Sequence, residues 1–181
     1  MKLLAISGSL RAASTNTVLV EALPALAPAG VEIIVWRGLG ELPHFNPDLD
    51  GEAIPTVRDL RRLIGETEGL VLCSPEYAHG VAGVMKNGLD WLVPSLEFPD
   101  TPVALLNASP SAHFAQAHIR ETLTVIQARI VEAANIALPL QGRKLTSEHI
   151  IADAGLSAAV RAALEIFADA IATLPPKARW G

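Results

Sequence analysis

A doubly wound, parallel, three-layer α/β/α sandwich is the fold class this 181-residue chain predicts, from two observations. Short apolar runs recur along the chain at residues 2–7, 31–36, 69–74 and 102–107, with a weaker one at 136–138, and none shows the polar alternation of a half-exposed strand. Helical patterns separate or follow them at about 15–27, 55–66, 82–92, 115–134 and 156–173. Strands that are apolar on both faces need helices on both sides, which is the requirement of a parallel sheet built from βαβ units. No linker divides the series, so one domain is expected over residues 1–174, with residues 175–181 as a surface or disordered tail.

The first strand runs straight into Gly8-Ser9-Leu10-Arg11-Ala12-Ala13-Ser14-Thr15-Asn16-Thr17, and a helical pattern follows through Val18, Leu19, Ala22, Leu23 and Leu26. A helix N-terminus presents unpaired N–H groups and the positive end of its dipole, and this loop adds a guanidinium, hydroxyls and an amide. A phosphate monoester suits it. The Walker pattern is absent, because no second glycine and no lysine follow Gly8, and G-x-G-x-x-G is absent because residues 9–16 contain no glycine. Side chains rather than a glycine-rich backbone must hold the phosphate. The plainer alternative makes Ser14 a helix cap and Arg11 a solvated charge.

In doubly wound sheets the ligand lies beyond the carboxyl ends of the strands, where strand order reverses, so the loops after the third and fourth strands matter next. The third-strand loop is Ser74-Pro75-Glu76-Tyr77-Ala78-His79-Gly80-Val81-Ala82-Gly83. Pro75 ends the strand, Gly80 and Gly83 allow close backbone approach, and the one tyrosine stands at the strand tip. Extended backbone here offers N–H and C=O groups to the polar edge of a flat ring such as a flavin's, with Tyr77 against its face. A tight turn with Tyr77 filling a surface groove is the alternative.

Composition narrows the function classes. Half the residues are hydrophobic and 18% are charged, which describes a compact globular chain. A net charge of −5 without a basic run gives no nucleic-acid footprint. Neither a signal-peptide pattern nor an apolar stretch approaching ~18 residues is present, so a cytoplasmic setting and no membrane association are expected. Cys73, the only cysteine, sits in an apolar run and is expected to be a buried structural thiol. The five histidines form no ligand spacing, so no metal is expected.

Gly8-Ser9-x-Arg11-x-x-Ser14-x-Asn16, Pro75-Glu76-Tyr77 and Lys86-Asn87-x-x-Asp90-Trp91, taken in order, resemble the NAD(P)H-dependent FMN reductase family, which includes flavodoxin-like quinone, azo-dye and chromate reductases. The resemblance extends from Lys2 to about Leu138. It implies a flavodoxin-like fold, FMN as cofactor and NAD(P)H as co-substrate. It further implies transfer of hydride by way of the flavin to a quinone-like or other small acceptor, with no catalytic side chain, and assembly as a homodimer or homotetramer. The cofactor-binding residues it implies are Ser9, Arg11, Ser14 and Asn16 at the phosphate and Pro75, Glu76 and Tyr77 at the ring; Thr15 and Ala78 in the same loops, and Ser109 and His113 in the fourth loop, are expected to bind the cofactor as well.

Two positions depart from the family pattern. Residue 78 is Ala where the family usually has Asn, and the fourth loop, Asn107-Ala108-Ser109-Pro110-Ser111-Ala112-His113-Phe114-Ala115, lacks the usual glycine pair. His113 and Phe114 are therefore expected at the border of the ring site, where they stack on the flavin, replace part of the nicotinamide pocket or close it. Two other functions remain open: a non-catalytic FMN-binding or regulatory module, and a one-electron flavodoxin-type carrier. The carrier is disfavoured by the longer chain and the lack of a strongly acidic surface. Lys86, Asn87 and Asp90 are expected to anchor their helix. Ile119, Leu123, Ile126 and Ile130 form a helical stripe that suits core packing, with a subunit contact as the second reading, and Trp91 is expected to add apolar surface to such a contact.

Overall fold

The computed structural model describes residues 1–175 and 177. Its elements follow in the order β1 (Lys2–Ser7), α1 (Thr15–Leu26), β2 (Glu32–Trp36), α2 (Pro55–Glu66), β3 (Gly69–Cys73), a small hairpin of β4 (Glu76–Tyr77) and β5 (Gly80–Val81), α3 (Gly83–Asp90), β6 (Pro102–Asn107), α4 (His113–Val125), β7 (Arg129–Ile130), β8 (Ile136–Ala137), α5 (Ser147–Ala152) and α6 (Ala154–Thr173). All ladders of the main sheet are parallel, and the strand order is β2-β1-β3-β6 followed by a position shared by β7 and β8. With that position counted as the fifth strand, the order is 2-1-3-4-5, the flavodoxin-like arrangement, with its switch point between β1 and β3.

The apolar runs divide residue by residue between two cores, as a sheet with alternating side-chain directions requires. Leu4, Ile6, Leu70, Leu72, Val103 and Leu105 pack with α2, α3 and α4, whereas Leu3, Ala5, Val71, Cys73, Ala104 and Leu106 pack with α1 and α6. Every residue of β3 and β6 is buried, which accounts for their unbroken hydrophobicity. The sheet is thus covered on both faces.

The pattern read as one helix over 115–134 is two structures. The helix begins earlier, at His113, and stops at Val125; Gln127 turns into the left-handed region at φ 65°. The chain then enters β7, where Arg129 N–H donates to the Thr101 carbonyl and Val131 N–H to that of Val103. Ile130 therefore belongs to the sheet, not to a helix stripe. Ile119, Leu123 and Ile126 are buried in the protomer core, and so is Trp91. The apolar surface expected from that stripe and from Trp91 is consumed internally.

The α3 helix anchors its surroundings. Its Asn87 accepts from Phe45 N–H at 2.8 Å and donates to the Pro43 carbonyl at 3.0 Å, and Lys86 pairs with Asp90 one turn on. The tail readings for Pro176 and for residues 178–181 lie outside the described residues. Pro175 and Lys177 are tied down, Pro175 accepting from Arg129 and Lys177 donating to the Ile64 carbonyl. Among the described residues no helix is long and apolar enough to cross a membrane.

Candidate cofactor site

The loop after β1 is braced by hydroxyls. Gly8 N–H donates to the Cys73 carbonyl at 2.8 Å, joining the ends of β1 and β3, and Ser7 Oγ meets Thr17 Oγ1 at 2.8 Å, joining the strand end to α1. Ser9 N–H donates to Ser7 Oγ and Arg11 N–H to Ser9 Oγ. Gly8 is required by crowding: an added Cβ would stand 2.6 Å from Ser74 Oγ and 3.1 Å from Met85 Cβ. Gly8→Ala is expected to cost about 1–3 kcal/mol of stability, the usual range for overpacking. Urea unfolding measures it, and an unchanged midpoint would show slack between β1 and α3.

Ser14 caps α1, its Oγ accepting Thr17 N–H at 3.4 Å. The first two helical N–H groups, of Thr15 and Asn16, have no partner within the helix. Arg11 is exposed, and its guanidinium has no partner among the described residues. Asn16 is nearly buried; its Oδ1 accepts from the Cys73 thiol at 3.2 Å, which leaves the amide NH2 as the group it can offer to a ligand. Donors therefore gather, unanswered by acceptors among the described residues, at one end of a cavity.

That cavity holds about 330 Å³ and opens beyond the carboxyl ends of β1, β3 and β6. Ser9, Arg11, Ser14, Thr15 and Asn16 line one part, Pro75, Glu76 and Tyr77 another, and Ser109 a third. Ala78 and His113 do not line it. Ala78 sits at the tip of the β4–β5 hairpin with φ 48°, and His113 is drawn aside, its Nδ1 2.9 Å from the Ser111 carbonyl and its ring on Phe114. Phe114 has ring partners in the protein, stacking on His79 at 4.4 Å and 23° and meeting His113 at 4.3 Å and 36°. Neither Phe114 nor His79 lines the cavity.

The glycines of the third loop are not where its backbone is unusual. Gly83 faces open space, while Ala78 and His79 take the left-handed conformation, with φ 48° and 57°. Asn107, Ala108, Ser111, Ala112 and Gln141 also line the cavity. Gln141 Oε1 accepts from Ser109 Oγ at 2.6 Å, linking the loop after β8 to the loop after β6. Its place beyond the last strand of a doubly wound sheet was the available signal, since ligands collect at that edge.

Cys73 lies under this site, fully buried, and burial pushes its thiol from an ordinary 9.0 up to about 12. It is expected to resist alkylation in the folded protein and to react once the protein is unfolded, which mass spectrometry reads. The unfolded chain ionises this thiol first, so its contribution to stability is complete below pH 9.0 and drains away as pH rises towards about 12.

A site with unpaired donors at a helix N-terminus, an extended peptide edge opposite and a volume within the roughly 300–1,000 Å³ of small-molecule pockets suits a flat-ringed cofactor ending in a phosphate. Fold and site together define a flavodoxin-like flavin-nucleotide protein. The sequence pattern of NADPH-dependent FMN reductases matches residues 1–142, and the chain belongs to that family. It is 32% identical over 158 residues to an NAD(P)H-dependent FMN reductase of Pseudomonas aeruginosa, covering 80% of this chain and 85% of that one. A quinone reductase of Escherichia coli is 30% identical over 72% of this chain and 73% of its own length. A solved flavoenzyme NAD(P)H:(acceptor) oxidoreductase from Paracoccus denitrificans superposes with a TM-score of 0.76 at 25% identity, covering 94% of this chain and 97% of that one.

Proposed function

We propose that this enzyme passes reducing equivalents from NAD(P)H to a small quinone-like acceptor through FMN held in the cavity, with the phosphate at residues 9–16 and the ring along Pro75–Tyr77. The observation behind this reading is the one-sided distribution of donors: the guanidinium of Arg11, the first N–H groups of α1 and the Asn16 amide NH2 meet no acceptor among the described residues. When bound, FMN supplies the redox chemistry. The protein's part is positioning. Arg11 and the α1 dipole neutralise the phosphate, Ser9 and Ser14 add hydroxyls beside it, and Asn16 is aligned by the Cys73 thiol. At the other end Glu76, whose N–H and C=O lie outside the β4–β5 hydrogen-bond pairing, offers its peptide groups to the polar edge of the ring, where negative charge gathers on reduction.

Anaerobic mixing tests the reading. The flavin band of the FMN-loaded protein is expected to bleach with NADH or NADPH and to return on addition of a benzoquinone. A bound flavin indifferent to both nucleotides would return the chain to a non-catalytic module. The chain is taken to act in the cytoplasm as a homodimer or homotetramer, with Val93, Leu96 and Val125, 58%, 61% and 70% exposed, as the apolar surface available for assembly. Light scattering decides, and a clean 19.1 kDa particle at micromolar concentration would contradict it.

A further inference from the structure

The β4–β5 hairpin has no internal reason to hold its shape. Its ladder has two residue pairs, Glu76 with Val81 and Tyr77 with Gly80, and a ladder that short is not stable alone in water. Its two central residues, Ala78 and His79, both have positive φ, the combination for which a hairpin turn ordinarily selects Asn-Gly. Neither residue relieves the strain of that conformation as glycine does. Something outside the hairpin must hold it.

The first turn of α4 supplies two attachments. Glu76 accepts the Ala115 N–H at 2.9 Å, so the helix N-terminus grips the base of the hairpin, and Phe114 receives the His79 ring at 4.4 Å, so it grips the tip. His113 packs on the same phenyl ring at 4.3 Å while its Nδ1 lies 2.9 Å from the Ser111 carbonyl, which ties the stack to the β6–α4 loop. Pro75, Glu76 and Tyr77 form one wall of the cavity, and Ser109, Ser111 and Ala112 belong to another. The stack links the loops that carry the two walls, and none of its three residues lines the cavity.

We infer that His79 and Phe114 are positioning residues that clamp the 76–81 hairpin to α4 and so fix the peptide edge along which the flavin ring lies. The inference rests on the placement of FMN proposed above. Because the clamp acts on the ring end, its loss weakens every ligand with an isoalloxazine by the same factor, phosphate or none.

The experiment compares Phe114→Ala, His79→Ala, the double variant and Phe114→Tyr with the parent, titrating each with FMN and with riboflavin. Arg11→Ala is titrated alongside as the control for placement. The two alanine variants are expected to weaken both flavins equally, by about 2- to 10-fold, the equivalent of one aromatic pair. The double variant is expected to be no worse than the stronger single, since the two rings act as one contact. Phe114→Tyr is expected to restore the parent values. In the flavin-free protein the amides of residues 77–81 are expected to exchange faster in the alanine variants while those of β1, β3 and β6 do not, which separates a loosened hairpin from a damaged fold. Unchanged flavin affinities in His79→Ala and Phe114→Ala, with Arg11→Ala still selective against FMN, would overturn the clamp and leave the placement standing. An Arg11→Ala protein that binds FMN as the parent does would overturn the placement and the clamp with it.

Discussion

Arg11→Ala is expected to weaken FMN binding by about 1.5–3 kcal/mol, roughly 10- to 150-fold, the value of a hydrogen bond to a charged group. Arg11 lines the cavity and its guanidinium has no polar partner among the described residues, so its removal breaks no side-chain hydrogen bond or ion pair among them and creates no orphaned acceptor. The loss falls on the ligand alone. Riboflavin, which has no phosphate, is expected to bind parent and variant nearly alike. Isothermal titration of both flavins reads the difference, and equal losses for the two would mean that Arg11 lies against the ring.

The largest effect on stability is expected from Trp91→Ala. Trp91 is 1% exposed; its indole N–H donates to the Pro43 carbonyl at 2.8 Å, and Phe45 meets it edge-on at 5.1 Å. The backbone carbonyl of the same residue accepts from the buried Arg61 guanidinium at 3.1 Å. Deleting the side chain leaves a cavity and removes one of the two donors to the Pro43 carbonyl, the other being Asn87. The expected cost is about 3–5 kcal/mol, as for other buried Trp or Phe truncations, and the expected fall in Tm is about 6–20 °C in a chain of this size. Thermal unfolding followed by far-UV circular dichroism measures it, and a fall of less than about 4 °C would show that the 43–45 segment is held by Asn87 alone.

The sheet was legible because its strands are buried on both faces: Leu70, Val71, Leu72 and Cys73 are apolar in sequence for the same reason that they are buried in the fold. The donor-lined end of the cavity was legible because Ser9, Arg11, Ser14 and Asn16 lie between the end of a strand and the first turn of a helix, so local chemistry and position coincide. The end of α4 was not, because Ile126 and Ile130 continue the helical spacing of Ile119 and Leu123 past a turn made by Gln127, where no glycine marks the left-handed residue. The short α5 helix escaped for want of length: it has six residues and a cap in which Thr146 N–H donates to His149 Nδ1.

The opposite wall of the cavity was legible only in part, for a related reason. Pro75, Glu76 and Tyr77 follow directly on β3, but the hairpin that holds them places positive φ on Ala78 and His79 rather than on Gly80 or Gly83. Gln141 reaches Ser109 across 32 residues, a contact that no local pattern contains. His113 and Phe114 belong to this region, but the aromatic partner that organises them, His79, comes from another loop.

A crystal structure of the protein with FMN tests the central claim most directly. The expected result places the phosphate within hydrogen-bonding distance of Arg11 and the N–H groups that open α1, with the isoalloxazine edge on the peptides of residues 75–77. A phosphate bound away from residues 9–16, or a ring lying at the α1 end of the cavity, would contradict it.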